Sequence, residues 1–199
     1  MIYLCSSSES RALLLEKFDI DFIQKPVSFD EEQIQVTTAK DFVYAASKGK
    51  LEAAQKQYGL DTPLLCADTV IAASDGSILR KAKSREDAKR ILMLQSGSTI
   101  SIISSVHFKS KQLLFTDISA THYHFDRFDA EDLEQYLESG LWRGKAGGCM
   151  VEGFCKQYIK QVDGLESTAM GLQIERILPW LSMEKKSLHE MNEERYSVL

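Results

Sequence analysis

The 199-residue chain lacks the features that mark membrane and secreted proteins. It has no apolar run near the roughly 18 residues that a membrane-spanning helix requires. Its first residues, Met1 to Cys5, have neither the basic start nor the long apolar segment of a secretion signal. We therefore expect a cytoplasmic protein with no membrane partner.

An excess of positive charge is also absent. The chain has 24 Lys and Arg against 29 Asp and Glu, which gives a net charge of −5. Both signs are interleaved along the sequence, and this argues against an extended surface for a nucleic-acid polymer. The motifs G-x-S-x-G, G-x-G-x-x-G and the Walker-type loop are missing too, so serine-hydrolase, Rossmann and P-loop interpretations lose support.

Cysteine is scarce and widely spaced, at Cys5, Cys66, Cys149 and Cys155. There is no C-x-x-C pair and no neighbouring histidine at zinc-ligand spacing. We predict that all four are reduced and mostly buried thiols. A chain of this length with 44% hydrophobic residues can bury a full core without disulfides or structural metals.

One carboxylate, Asp68, interrupts an apolar run that extends from Leu64 to Ala72. Such a run predicts a strand covered on both faces, where an unpaired charge costs several kcal/mol. Asp68 is then either a structural aspartate held by an arginine or by backbone donors, or a catalytic or metal-binding group at the end of a central strand.

The order of predicted elements is typical of an α/β protein with a mixed, twisted central sheet flanked by helices. We expect two lobes with a cleft between them, a single domain over residues 1–183, and a charged tail or solvated helix over residues 184–199. The predicted strands lie at residues 2–5, 21–24, 64–72, 100–108, 113–125, 150–151 and 157–162. Predicted helices cover residues 11–18, 85–94 and 133–137. A long helix is capped by Thr37 or Thr38 and runs towards Gly59, and a last one begins near Thr168 and continues beyond Pro179.

Several polar residues are candidates for binding an anion or a cation. Ser6, Ser7 and Ser8 join a strand to a helix whose N-terminus and Arg11 can both attract an anion. The acidic loop at residues 30–32, together with Asp68, has the oxygen ligands that Mg²⁺ prefers. Each signal alone is more typical of an ordinary helix cap or a solvated loop than of a binding site. His122 and His124 have no third ligand nearby and give little support for a metal site.

Taken in order, short motifs of this chain resemble the Maf family of nucleotide pyrophosphatases, also called septum-formation inhibitors, which have an inosine-triphosphatase-like fold. The resemblance covers residues 2–178, and its specificity lies in the order and spacing of the motifs. They are Leu4-Cys5-Ser6-Ser7-Ser8-Glu9-Ser10-Arg11, Asp30-Glu31, Phe42-Val43 with Lys50, Ala67-Asp68-Thr69-Val70, Ile78-Leu79-Arg80-Lys81, Ser96-Gly97, Lys145-Ala146-Gly147, Glu152-Gly153 and Gly171-Leu172.

The resemblance implies hydrolysis of a nucleoside triphosphate to the monophosphate and pyrophosphate, with Mg²⁺ or Mn²⁺ as cofactor. It implies a homodimer as well, because Maf-like proteins commonly form one. Asp68 matches the family's proton acceptor and also a metal ligand, and Glu31 matches an acidic residue near the metal. The phosphate-binding cations correspond to Arg11, Lys50 and Lys81, and the phosphate-facing serines to Ser6 and Ser8. Lys145 falls in another matching motif and is assigned to substrate binding.

This chain departs from the family pattern at two motifs. Glu9 replaces a proline, Ser10 replaces the first of two arginines, and Arg80-Lys81-Ala82 stands where the family has Gly-Lys-Pro. At the positions that select the base, the family branch acting on dTTP and UTP has Arg, Thr and Gln, and the branch acting on 7-methyl-GTP has Trp, Gln and Glu. The matching residues here, Ser10, Thr69 and Glu152, fit neither set.

Three functions are therefore compatible with the sequence. The first is a metal-dependent nucleoside triphosphate pyrophosphatase that clears nonstandard or surplus nucleotides. A second is a nucleotide-binding regulator of cell division with little or no catalysis, which the altered motifs at Ser10 and Lys81 would favour. The third is a phosphatase that removes the terminal phosphate.

Overall fold

The computed structural model describes residues 1–183, which form a six-stranded sheet in the order β2-β1-β3-β4-β5-β6. The strands are β1 (Ile2–Leu4), β2 (Phe22–Gln24), β3 (Leu64–Ala72), β4 (Thr99–Lys109), β5 (Leu114–Phe125) and β6 (Ile159–Asp163). The helices are α1 (Glu9–Lys17), α2 (Ala39–Tyr58), α3 (Arg85–Gln95), α4 (Ala130–Ser139), α5 (Glu166–Ala169) and α6, which begins at residue 174 and extends to the last described residue.

Both kinds of strand pairing occur in this sheet. β1 is parallel to β2 and to β3, whereas β3, β4, β5 and β6 are successively antiparallel. The predicted α/β class with a mixed sheet is therefore confirmed.

Polar residues fix the starts of the longer helices. The side chains of Ser8, Thr38, Ser84 and Asp129 each accept a hydrogen bond from a backbone N–H in the first turn of α1, α2, α3 and α4. These N–H groups have no partner within the helix, so each such bond favours the helix starting at that residue. The sequence predicted Ser8, Ser84 and Asp129 as caps and left Thr37 and Thr38 as alternatives for α2, of which the structure has Thr38.

The two faces of β3 are covered by different helices. Leu64 and Cys66 pack with Leu51 and Ala54 of α2. Residues of the opposite parity, such as Leu65, pack with side chains of α1 and α6. This confirms the prediction that the apolar run is a strand buried on both sides. It also follows that Asp68 and Thr69, as neighbours along the strand, point to opposite faces of the sheet.

The end of β1, rather than the end of β3, creates the opening beside Asp68. β1 pairs with β3 at Tyr3 and Leu4, opposite Leu64 and Leu65, and then the chain turns away through the serines. β3 continues to Ala72 past the end of β1. The expectation that Asp68 ends its strand is therefore wrong: it lies in the middle of β3, beside the space that the short β1 leaves free.

The predicted reduced state of the cysteines is wrong for one pair. Cys149 and Cys155 form a disulfide, whereas Cys5 and Cys66 are free and buried as predicted. A spacing of six residues matches no redox or zinc motif. Turns at Gly147, Gly148 and Gly153 nevertheless bring the two cysteines together inside the core that packs on α3 and α4.

The same segment explains another difference from the expected elements. Met150 and Val151 lie in a turn instead of a strand, and a 3₁₀ helix, Phe154–Tyr158, precedes β6. Glycines with positive φ at Gly147 and Gly148 bend the backbone here, although two apolar residues in a row favour a strand.

The end of the described chain also differs from expectation. The predicted last helix is divided, because α5 ends at Ala169 and α6 begins at residue 174, after Gly171. The tail predicted for residues 184–199 lies outside the described residues. Within residues 1–183, no helix combines the length and apolar character needed to cross a membrane.

The disulfide should contribute measurably to stability. Replacing Cys149 and Cys155 together by alanine should lower the free energy of unfolding by about 2 kcal/mol, the chain-entropy value for so short a loop. Urea unfolding with and without a reducing agent checks this. Reduction should destabilise the wild type but leave the double variant unchanged, and a wild type insensitive to reduction would contradict the assignment.

Candidate functional site

The serine turn after β1 is organised around Arg11. The Ser6 hydroxyl oxygen accepts from the Arg11 Nη1 at 2.9 Å and from the backbone N–H of Ser8 at 3.2 Å. Ser8 in turn caps α1 by accepting from the Arg11 backbone N–H at 3.4 Å. The structure thus brings Ser6, Ser8 and Arg11 together, as the sequence predicted for an anion site.

The Arg11 guanidinium is buried and is held by neutral acceptors. Its Nε donates to the Gly171 carbonyl at 2.8 Å, and its Nη2 donates to the Thr69 hydroxyl at 3.1 Å. Desolvation by burial lowers the pKa of Arg11, and the charges of Asp68, Cys66 and Glu31 oppose this shift. An arginine in this environment gains most from an anionic partner.

Gly171 allows the close approach of Arg11. Its φ is +97°, and a Cβ at this position would lie 3.1 Å from the Thr69 Oγ1 and 3.2 Å from the Arg11 Nε. A side chain here would therefore be strained in its backbone and would crowd the guanidinium.

Lys50 of α2 joins two carboxylates on the other face of β3. Its Nζ lies 2.5 Å from the Asp68 Oδ1 and 2.7 Å from the Glu31 Oε1. Glu31 begins the 3₁₀ turn Glu31–Gln33, whose N-cap is Asp30. Glu31, Lys50 and Asp68 come from three separate segments of the chain, and they meet at the Lys50 ammonium group.

Asp68 is 7% exposed, and its surroundings change its acidity. Desolvation by burial raises the pKa of Asp68, while the charge and hydrogen bond of Lys50 act in the opposite direction. The nearby Glu31 carboxylate raises this pKa further. A carboxyl group whose pKa is raised toward neutrality is better suited to accept a proton in catalysis.

Two neighbouring cavities border most of these residues, whereas Asp68 itself lines neither: its neighbour Ala67 borders one and Thr69 the other. The serine-turn cavity has a volume of about 400 Å³, and its walls include Ser6, Ser8, Arg11, Glu31 and Lys50. The large cavity has a volume of about 740 Å³ and a mainly apolar wall. It is bordered by residues of four strands and by the segment around the disulfide, among them Ser10, Thr69, Ile71, Ile100, Ile102, Tyr123, Lys145, Met150, Val151, Glu152, Ile159 and Glu166.

Four of the predicted substrate-binding residues border the same cavity. Ser10, Thr69, Lys145 and Glu152, which the sequence assigned to substrate binding, all border the large cavity. Lys81 borders neither cavity and is exposed. Its backbone forms a bridge with Ala146, which places it beside the segment that carries Lys145.

Sequence reasoning missed Ser104, which touches this site from β4. Its hydroxyl lies 2.8 Å from the Thr69 hydroxyl and donates to the Thr168 carbonyl at 2.8 Å. Ser104 and Ser105 interrupt an apolar stretch of β4, just as Asp68 interrupts β3, and Thr69 and Ser104 are cross-strand partners. The argument that identified Asp68 could therefore have found Ser104 as well.

His122 and His124 are engaged outside the site. His124 contacts Thr99 and Asp163, and His122 contacts Ser101. Over residues 1–183, no group of three or more His, Cys, Asp or Glu side chains is placed to hold a metal ion.

The fold and site define an α/β protein with a buried arginine and a lysine that bridges two carboxylates. A large cavity lies next to these residues. The family model for Maf-like proteins matches residues 1–184. The chain belongs to the Maf-like family.

Curated relatives match nearly the whole chain. A nucleoside triphosphate pyrophosphatase of a Nitratiruptor species is 56% identical over 179 residues, which are 89% of this chain and 96% of that protein. A protein of the same name from Helicobacter pylori (strain Shi470) is 37% identical over 185 residues, 93% of this chain and 97% of the relative. The solved structure of the Staphylococcus aureus Ham1 protein gives a TM-score of 0.42 at 14% identity, covering 63% of this chain and 70% of its own.

The raised pKa of Asp68 predicts how its removal changes stability with pH. The folded state binds the Asp68 proton more tightly than the unfolded chain, so this contribution is present below the ordinary pKa of 3.8 and is lost as pH rises through the folded pKa. Asp68→Asn carries no titrating charge. The variant should therefore gain stability relative to the wild type as pH rises from about 4.

Urea unfolding between about pH 4 and pH 8 in metal-free buffer measures this difference. Asp75→Asn is the control, because hydrogen bonds from Ser77 lower the pKa of Asp75. That variant should keep a nearly constant stability difference from the wild type above about pH 5, because a carboxyl group with a lowered pKa is ionised there in both the folded and the unfolded state. If the stability of both variants relative to the wild type changes in the same direction with pH, the environment described for Asp68 is contradicted.

Proposed function

We propose that this protein is a cytoplasmic, metal-dependent hydrolase that converts a nucleoside triphosphate to the monophosphate and pyrophosphate. The observation that carries the proposal is the position of Ser10 and Arg11. These consecutive residues border different cavities, one with cations and serine hydroxyls and the other large and mainly apolar. A nucleotide has the matching division into a polyanionic chain and a flat base. The names of the curated relatives support the same activity.

In the proposed reaction, Asp68 accepts a proton from the water that attacks the α-phosphorus. The bond from that phosphorus to the bridging oxygen breaks, and pyrophosphate leaves. Arg11 and Lys50 stabilise the negative charge that develops on the phosphoryl oxygens and on the leaving group. Lys81, which lies on an exposed segment, would reach the phosphates as a third cation when substrate is bound. No covalent nucleophile is required.

The residues present fit a divalent cation. The Glu31 and Asp68 carboxylates already face one cationic centre, the Lys50 Nζ. Mg²⁺ is commonly bound by one or two carboxylates together with substrate phosphates. Glu31 and Asp68 would hold Mg²⁺ or Mn²⁺, which supplies charge neutralisation and polarises a bound water. Lys50 would then pair with substrate phosphate in place of one carboxylate.

We propose that the residues around the large cavity determine which base the enzyme prefers. Ser10, Thr69 and Glu152 border it, and this combination fits neither of the two family branches. The cavity also contains Lys145, whose ammonium group can contact the sugar or a phosphate. Residues 1–183 are proposed to act as one domain, and a homodimer is proposed from the family resemblance.

The activity can be tested by incubating the purified protein with Mg²⁺ or Mn²⁺ and a panel of nucleoside triphosphates. We expect equal amounts of monophosphate and pyrophosphate, and no turnover in EDTA. Asp68→Asn should lower kcat by at least about 100-fold, because it removes the proton acceptor. Asp75→Asn, at an exposed turn, should leave kcat unchanged.

Product identification separates the alternatives. Diphosphate with orthophosphate would indicate a terminal phosphatase, which could use the same cations. Tight nucleotide binding without turnover, combined with capture of a cell-division protein, would favour the regulator. Hydrolysis by Asp68→Asn at the wild-type rate would contradict the proposed role of this carboxylate.

Lys81 gives a separate test of phosphate binding. Lys81→Met should raise KM for the preferred nucleotide about tenfold, the effect of losing one hydrogen bond to a charged group. Lys83→Met is the matched control, because it removes a nearby positive charge in the same connecting segment. Equal effects of both substitutions would mean that general charge, rather than a specific contact of Lys81, governs KM.

A further inference from the structure

A chain of three hydrogen bonds connects the Arg11 guanidinium to the backbone before Gly171. The Arg11 Nη2 donates to the Thr69 hydroxyl at 3.1 Å, which lies 2.8 Å from the Ser104 hydroxyl. The Ser104 hydroxyl donates to the Thr168 carbonyl at 2.8 Å. These bonds join α1, β3, β4 and the segment that carries α5.

The two ends of this chain determine the direction of every bond in it. A carbonyl oxygen can only accept, so the Ser104 proton points to Thr168. The contact between the two hydroxyls must then use the Thr69 proton, which Thr69 donates to Ser104. A guanidinium can only donate, so Thr69 accepts from Arg11 with one of its two lone pairs. One lone pair of Thr69 remains.

We propose that Ser104 is a positioning residue that fixes the Thr69 hydroxyl as a hydrogen-bond acceptor towards the bound base and orients Arg11 towards the phosphates. Thr69 is partly exposed and borders the large cavity, whereas Ser104 is fully buried. Ser104 therefore acts through Thr69 and Arg11 and does not touch substrate. This inference rests on the proposed function and extends it to selection of the base.

A consequence for specificity follows from the direction of these bonds. With its proton engaged by Ser104, Thr69 can accept from an N–H of the base but cannot donate to a ring carbonyl. If Ser104 is removed, the Thr69 hydroxyl is free to rotate and to donate. The enzyme should then bind its preferred nucleotide less well and distinguish less strongly between bases.

The test compares kcat and KM over the nucleotide panel for the wild type and four variants. Ser104→Ala should lower kcat/KM for the preferred nucleotide about tenfold, mainly through KM, and should reduce its ratio to the other nucleotides about fivefold. Ser104→Thr keeps the hydroxyl and should restore both values. In a Thr69→Val background, adding Ser104→Ala should change little, since the residue through which Ser104 acts is already absent.

Thr121→Val is the matched control for a purely structural effect. Thr121 is fully buried and its hydroxyl donates to the Leu165 carbonyl, in the same segment that Ser104 anchors. It should alter stability without altering the ratios between nucleotides. Equal selectivity in Ser104→Ala and the wild type, or an equal loss of selectivity in Thr121→Val, would overturn the inference.

A binding measurement separates this inference from the proposed reaction. Triphosphates with a methylene group between the α- and β-phosphorus cannot release pyrophosphate, so their dissociation constants report binding alone. Absence of pyrophosphate release by the wild type would reject the proposed reaction. The role of Ser104 would still be tested by the ratios of these dissociation constants between nucleotides. If the effects of Ser104→Ala and Thr69→Val on the dissociation constants are additive, the inference is overturned.

Discussion

The burial of two opposite charges on the two faces of one strand is the constraint on which the rest of the site depends. Asp68 is compensated directly by Lys50. Arg11 is satisfied by a carbonyl and two hydroxyls, and among residues 1–183 it forms no ion pair. Three of its five N–H donors are thus engaged while its positive charge is not neutralised, which leaves two donors and the charge for an anion.

The sheet topology makes this arrangement accessible to a ligand. Because β1 ends at Leu4, the edge of β3 beyond it borders an opening in place of another strand. The chain turns there through three serines and starts α1, so helix N-terminus, hydroxyls and guanidinium all lie at one place. Lys50 reaches the same opening from the middle of α2, whose long apolar face is fixed against β3.

Local patterns in the sequence predicted much of this. The apolar run around Asp68 predicted a strand buried on both faces, and the caps at Ser8 and Ser84 located two helix starts, because these features depend on neighbouring residues alone. Contacts between distant segments could not be predicted in this way. The bond from Arg11 to Gly171 joins residues 160 positions apart, and the pairing of Cys149 with Cys155 depends on three glycine turns. The prediction of a strand at Met150 and Val151 was wrong for the same reason, since the geometry of the turn outweighed the preference of these two residues for a strand.

The two cavities are formed by different parts of the chain. The wall of the serine-turn cavity comes mainly from the turn after β1 and from residues 26–31, with Lys50 of α2. Much of the wall of the large cavity, in contrast, comes from residues 144–152, next to the crosslink between Cys149 and Cys155. That crosslink anchors the segment to the core independently of the side chains between the cysteines. Residues 150–152 can therefore reshape the large cavity by substitution while the contacts of Lys50 with Glu31 and Asp68 stay as they are.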